Sequence, residues 1–197
     1  YFTIINKELL YTFSLISNTA TTMDESKDLT ALYSFLMAKE KAGVERSIGS
    51  NAFTINKFTQ GQKEIFVKLV TEQDNYLTIF KRSSTSEVLE FYNDTINDKE
   101  VKTKVIDEVE RLRKIALTSN EIGGFGISAN YWFDQASKKI DKLKIIDNFI
   151  SSKINTSIQN IKSDFSQQLM ITSILTILAL ILALFTSKII SKNIIGS

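Results

Sequence analysis

The most continuous hydrophobic stretch of the chain runs from Leu169 to Phe185, and no charged residue falls between Phe165 and Ser187. A helix crosses the hydrocarbon of a bilayer with about 20 apolar residues at 1.5 Å rise each, so residues 166–190 are predicted to span a membrane. A signal-peptide core would be shorter and would stand at the beginning, and a buried soluble helix would keep the polar face that this one lacks. Lys188 and Lys192 follow the span, and no acid occurs after Asp164. The positive-inside rule then puts the C-terminus in the cytoplasm and residues 1–164 on the opposite side.

Before the span, hydrophobic residues recur every three or four positions, the period of a helix with one buried face. Ile4, Ile5, Leu9, Phe13 and Ile16 mark an amphipathic helix up to about Asn18, ended by the polar run Asn18–Thr22. A second helix is predicted from about Lys27 to Asn56, after Asp24 and Asp28, whose acids suit a helix N-terminus. Lys63–Lys81 carries Ile65, Leu69, Tyr76 and Phe80, Ser83–Ser86 closes it, and Glu87–Ile96 resumes. Asp98–Leu117 has Val101, Val105, Val109, Leu112 and Ala116 as its stripe. After the glycine-rich segment Asn120–Ile127, Ser128 or Asn130 can cap a helix that need not stop before the far side of the membrane. Such a helix of about 60 residues would reach roughly 90 Å. The fold expected is all-α, an antiparallel up-down bundle of about four helices whose last helix continues into the transmembrane helix.

Composition narrows the chemistry. Of 197 residues none is Pro, Cys or His, which removes helix breakers, disulfides, thiol nucleophiles, imidazole acid–base catalysis and the commonest zinc sites. No nucleophile–base grouping stands out from ordinary helix-surface charge, so no enzyme, metal site or cofactor is expected. With 24 Lys+Arg against 22 Asp+Glu, no long-range field gathers nucleic acid. The glycine-rich segment lacks the preceding strand and the Lys-Ser/Thr continuation of a phosphate-binding loop, and it reads as a long inter-helix turn.

Only Arg46, Arg82, Arg111 and Arg113 are arginines, against a background of lysine. A guanidinium offers a fixed fork of donors suited to a planar oxyanion, which an ammonium does not. Counting by threes and fours through Leu29, Leu32, Leu36, Lys39, Gly43, Arg46, Ser50 and Phe53 sets Arg46 on the stripe that elsewhere faces the core. A buried guanidinium there needs compensation. A carboxylate from a neighbouring helix or snorkelling to the bundle rim would supply it. So would a small anion, with Gly43 clearing space for the ligand or for a close-packed helix. Arg113 aligns with Ile106, Val109 and Leu117 and so points inward better than Arg111, which shares its side with Lys104, Asp107 and Lys114. Arg82 sits at a helix end, where terminal carbonyls need donors. Trp132, within Tyr131-Trp132-Phe133, reads as core or as a lid over a pocket.

Four segments stand out together: Lys39-Glu40-Lys41-Ala42-Gly43-Val44-Glu45-Arg46, Gln73-Asp74-Asn75-Tyr76, Arg111-Leu112-Arg113-Lys114-Ile115-Ala116, and Tyr131-Trp132-Phe133 leading into Lys139–Lys144. Taken together they resemble the nitrate- and nitrite-sensing domain of bacterial signal transducers. The resemblance covers residues 1–165 and matches the second half of such a domain. It implies a helical module in which arginines from different helices hold nitrate or nitrite. Arg46 is the first candidate and Arg113 the second, with Arg111 and Lys39 as further anion contacts. Ser191–Ser197 resembles the opening of a HAMP linker.

The chain opens at Tyr1 and stops at Gly196-Ser197, so the expectation is an excerpt, with an export element upstream and an output module downstream. By the resemblance, that output is a methyl-accepting chemotaxis receptor in the inner membrane, with residues 1–164 periplasmic. Such a receptor would form a homodimer in the lipid bilayer and act on cytoplasmic signalling proteins. The rival is a membrane-anchored helical protein-interaction module that binds no small ligand.

Overall fold

The computed structural model describes residues 23–119 and 124–195, and, within the helices, the side chains of all but 23–26, 161 and 183–195. The expected helix before Asn18 lies outside the described residues. Helix α1 spans Met23–Ile55, α2 Gln62–Ser83 and α3 Ser86–Asn97. The three-residue α4, Lys99–Val101, leads through a π-helical segment, Lys102–Ile106, into α5, Asp107–Thr118, and α6 spans Ala129–Ile195. No strand occurs among the described residues. The chain divides into two compact units, residues 1–152 and residues 153–197.

Local chemistry sets the joints of the first unit. Asn56, at φ 52°, turns the chain out of α1, in the left-handed conformation that Asn tolerates at a helix end. Asp98 leaves the helical conformation, at φ −48° and ψ 132°, and its carboxylate accepts from the amides of Glu100 and Val101, restarting the helix after α3 by N-capping. Ser128 accepts from the Tyr131 amide at 3.2 Å and caps α6, one of the two residues expected to do so. The π-helical turns fall inside the expected Asp98–Leu117 helix, and its stripe holds across them: Val105, Val109, Leu112 and Ala116 are buried and Val101 half-buried, the four-residue steps suiting the wider π turn.

Cross-helix pairs define the packing. Lys41 meets Glu72 and Asn51 meets Gln62, so α1 and α2 are antiparallel. Arg46 meets Ser137 and Lys39 meets Asp147, so α1 and α6 are antiparallel too. The segment from α3 to α5 packs Tyr92 near Phe35 and Arg113 against Glu45, so it runs parallel to α1. The result is the up-down bundle of four columns, the third assembled from α3, α4, the π-helical segment and α5.

Its interior has three levels. At one end Phe53, Phe66, Phe125 and Trp132 close together, with the Phe53 and Trp132 rings stacked at 5.1 Å. Towards the other, Phe35, Phe80 and Tyr92 form a tilted trio. Between the two apolar clusters lies a layer of buried polar side chains.

The second unit is a stretch of α6 alone. Among its described side chains, those from Phe165 to Leu182 are exposed, including Leu169, Met170, Ile174, Leu178 and Leu182. This is the one described helix long and apolar enough to cross a membrane, by length and composition.

Candidate functional site

The polar layer is built by one residue from each column. Glu45 on α1 is 2% exposed, Gln73 on α2 2% and Arg113 on α5 3%. Arg113 grips Glu45 through both edges of its fork, Nε to Oε1 at 2.5 Å and Nη2 to Oε2 at 2.6 Å. Nη2 also donates to Gln73 Oε1 at 3.0 Å, and Nη1 donates to Glu110. Gln73 returns its amide to Glu45 Oε2 at 2.8 Å. Lys139 on α6 completes the layer, donating to Gln73 Oε1 at 3.1 Å.

Electrostatics follow from this enclosure. Burial pushes the Glu45 carboxyl up, but the hydrogen bond and charge of Arg113, helped by Lys139 and Gln73, outweigh it and hold Glu45 below its usual value. Burial likewise disfavours the Arg113 charge, and Glu45 more than restores it. Lys139 has no carboxylate of its own. Burial, then repulsion from Arg113, lowers it from 10.5 to about 8.

Arg46 is one residue from Glu45 but faces elsewhere. The buried side of α1 carries Ala31, Leu32, Phe35, Ala38, Ala42, Glu45, Ala52 and Phe53, while Leu36, Lys39, Gly43, Arg46 and Ser50 are half-buried along the flank facing α6. The 3–4 count that put Arg46 on the core stripe is therefore corrected. It is off by about one residue, because the small residues Ala31, Ala38 and Ala42 form the inward side that the larger Leu29 and Leu36 were expected to mark.

At that flank Arg46 Nη1 donates to Ser137 Oγ at 2.9 Å, and the guanidinium carbon lies 4.7 Å from the centre of the Phe133 ring. Among the described residues no carboxylate pairs with it. One of its five N–H donors is used.

The other candidates are distributed differently. Arg113 points inward as expected, but four of its five donors are committed within the polar layer. Arg111 is half exposed and bound in bidentate fashion by Glu108. Lys39 pairs with Asp147. No protein atom comes within 4 Å of where a Gly43 side chain would begin, so no helix approaches closely there. The close approach is at Gly49, where a Cβ would lie 2.3 Å from the indole of Trp132. Trp132 itself is fully buried and donates Nε1–H to the Arg46 carbonyl at 2.9 Å, so of its two readings it takes the core one.

Sequence reasoning passed over Glu45, Gln73, Lys139 and Ser137. Glu45, Gln73 and Lys139 stood inside the segments that carried the family resemblance, which was the only signal available for them.

A groove of about 480 Å³ between the π-helical segment and α6 is lined by Asp98, Glu100, Lys104, Lys138, Asp141 and Lys142, with Val101 and Val105. Three acids against three lysines leave it without net charge. Of the two concentrations of polar chemistry near α6, the Arg46 flank is the one with an unbalanced cation.

Comparison with known proteins agrees with a sensor. The profile of the family described as nitrate and nitrite sensing matches residues 1–155. The nitrate regulatory protein of Klebsiella oxytoca is 24% identical over 126 residues, which covers 62% of this chain and 29% of that protein. The chain therefore spans less than a third of that relative. No solved structure matches.

Proposed function

Because the chain belongs to the nitrate and nitrite sensing family, we propose that Arg46 is where it receives its anion and that the bundle signals across a membrane through α6. The observation that carries this reading is a half-buried guanidinium, held by a serine and an aromatic ring, with no carboxylate among the described residues to neutralise it. Arg113 has a different role: its charge is cancelled by Glu45, and it locks α5 to α1. Glu45 and Arg46 are consecutive, so one turn of α1 belongs to both the buried layer and the receptive flank. An anion that pairs with Arg46 better in one arrangement of α1 against α6 shifts the population towards that arrangement, and only such a difference in affinity can do so.

Residues 1–165 are the extracytoplasmic sensor in this proposal, 166–190 the membrane span and 191–197 the start of a cytoplasmic linker. A homodimeric chemotaxis receptor in a bacterial inner membrane is the assembly proposed. The absence of native cysteine makes topology directly measurable. Lys63→Cys should react with an impermeant maleimide on intact cells, and Ser191→Cys should not; the reverse pattern refutes the orientation.

The site is tested by calorimetry on the full chain in detergent micelles. Nitrate should give saturable heat that Arg46→Ala removes while the variant keeps its helical circular dichroism. Heat that survives the substitution takes Arg46 out of the site. A ligand favouring the folded state must also raise the melting midpoint. No rise at saturating nitrate would favour the protein-interaction module.

A further inference from the structure

We infer that Ser137, Phe133 and the open side of Gly43 determine which anion the Arg46 flank takes, and that they select a planar, singly charged one. This rests on the proposed role of Arg46. The first observation concerns a proton. Hydroxyls on these helices commonly donate to the carbonyl four residues back, as Ser50 does to Arg46, Thr71 to Val67, Ser84 to Phe80 and Thr118 to Lys114. Ser137 does not; its oxygen accepts from Arg46 Nη1, and its own proton has no acceptor among the described residues. A hydroxyl can donate and accept at once, so Ser137 presents a free O–H donor beside the free N–H groups of the guanidinium.

The second observation is shape. The guanidinium carbon of Arg46 lies over the Phe133 ring, 4.7 Å from its centre, though 49% of Phe133 remains exposed. The negative face of the ring disfavours an anion on that side, and on the remaining donors a flat oxyanion accepts parallel hydrogen bonds in the plane of the fork. One helical turn before Arg46, Gly43 leaves its side open, with nothing within 4 Å of a Cβ. Gly43 is mid-helix, and its φ is not positive. No turn requires glycine there, and alanine would suit the helix better. The vacancy is consistent with room for a ligand.

The third observation is the charge count. Lys39 is paired with Asp147, Arg111 with Glu108 and Arg113 with Glu45. None of these carboxylates reaches Arg46, whose single charge a monoanion balances, whereas a dianion such as sulfate would leave a negative charge partly desolvated against the Phe133 ring.

The test is calorimetric titration of the full chain with nitrate, nitrite, chloride and sulfate. The variants are Ser137→Ala, Ser137→Thr, Gly43→Leu and Arg46→Ala, each checked for a cooperative melt. Wild type should bind nitrate or nitrite in preference to sulfate and chloride. Ser137→Ala should weaken the oxyanion about tenfold, the size of one hydrogen bond to a charged partner, and narrow the margin over chloride; Ser137→Thr should restore both. Gly43→Leu should block binding while raising the melting midpoint. Binding that persists in Arg46→Ala refutes the proposed site itself. Binding lost in Arg46→Ala but unchanged in Ser137→Ala and Gly43→Leu, or a wild type that prefers sulfate, refutes this inference alone.

Discussion

Arg46 and Arg113 are the same side chain in opposite circumstances. Arg113 is 3% exposed and spends four donors on two carboxylates and an amide. Arg46 is half-buried and spends one donor on a serine. The difference teaches that burial does not make a cation available to a ligand. Removing a charge from water is tolerated when partners replace the water, so the deeper arginine is the more fully satisfied. The one proposed to receive the anion lies at a seam, partly dehydrated and without a carboxylate partner among the described residues.

The contrast can be broken most severely from the Glu45 side. Glu45→Ala leaves the buried Arg113 with only the exposed Glu110 as counter-charge, beside the half-buried Lys139, and should cost about 3–5 kcal/mol, read as a fall in the urea midpoint. A loss below about 1 kcal/mol would mean that the layer is solvated.

A change of pH probes the same layer more gently. Lys139 releases its proton near pH 8 in the folded chain and near 10.5 when unfolded. Between those values the unfolded chain holds the extra proton, so stability should rise with pH across that window, by at most about 3 kcal/mol. Glu45 acts at the acid end. Its carboxyl is depressed on folding from 4.5, so the stability it gives is present above that value and is lost as pH falls through the folded one. Lys139→Met should flatten the alkaline rise and leave the acid limb in place.

Gly49→Ala acts between the two arginines, since its new methyl would press on the indole that anchors the Arg46 carbonyl. Repacking should cost about 1–3 kcal/mol. Arg46→Ala should have the smallest effect, about 1 kcal/mol, because it gives up one cation–π contact and one hydrogen bond. If it instead destabilised the bundle as much as the Glu45 change, Arg46 would be structural and the contrast would fail.

Much of the architecture was legible in the spacing of apolar residues. The second helix begins a few residues earlier than expected and ends within one of its expected limit, and Ser128 caps α6. Periodicity failed where side-chain size misled it. Alanines line much of the inner side of α1, so the larger leucines drew the stripe towards the α6 flank and carried Arg46 with it. Periodicity held through Lys102–Ile106, where the bonds are π-helical, since Val105, Val109, Leu112 and Ala116 of the expected stripe are buried.

The candidate site was legible only in part. An arginine among lysines drew attention to Arg46, and its lack of a carboxylate agrees with that reading. The inward direction of Arg113 was readable from its alignment with Val109. Its partner was not, because Glu45 lies 68 positions away in sequence and no helical period links two helices across a bundle. Ser137 was unreadable for a related reason, since its distinction is a hydroxyl proton that its own helix does not claim.

One indole serves the whole chain. Its N–H ends on the backbone oxygen of the residue proposed to meet the ligand, and its ring lies flat on Phe53. Indole emission shifts in colour with the polarity around it and with the strength of that N–H bond. The protein therefore carries its own dye at the seam proposed to take the anion, and occupancy there would be followed by light without attaching a label.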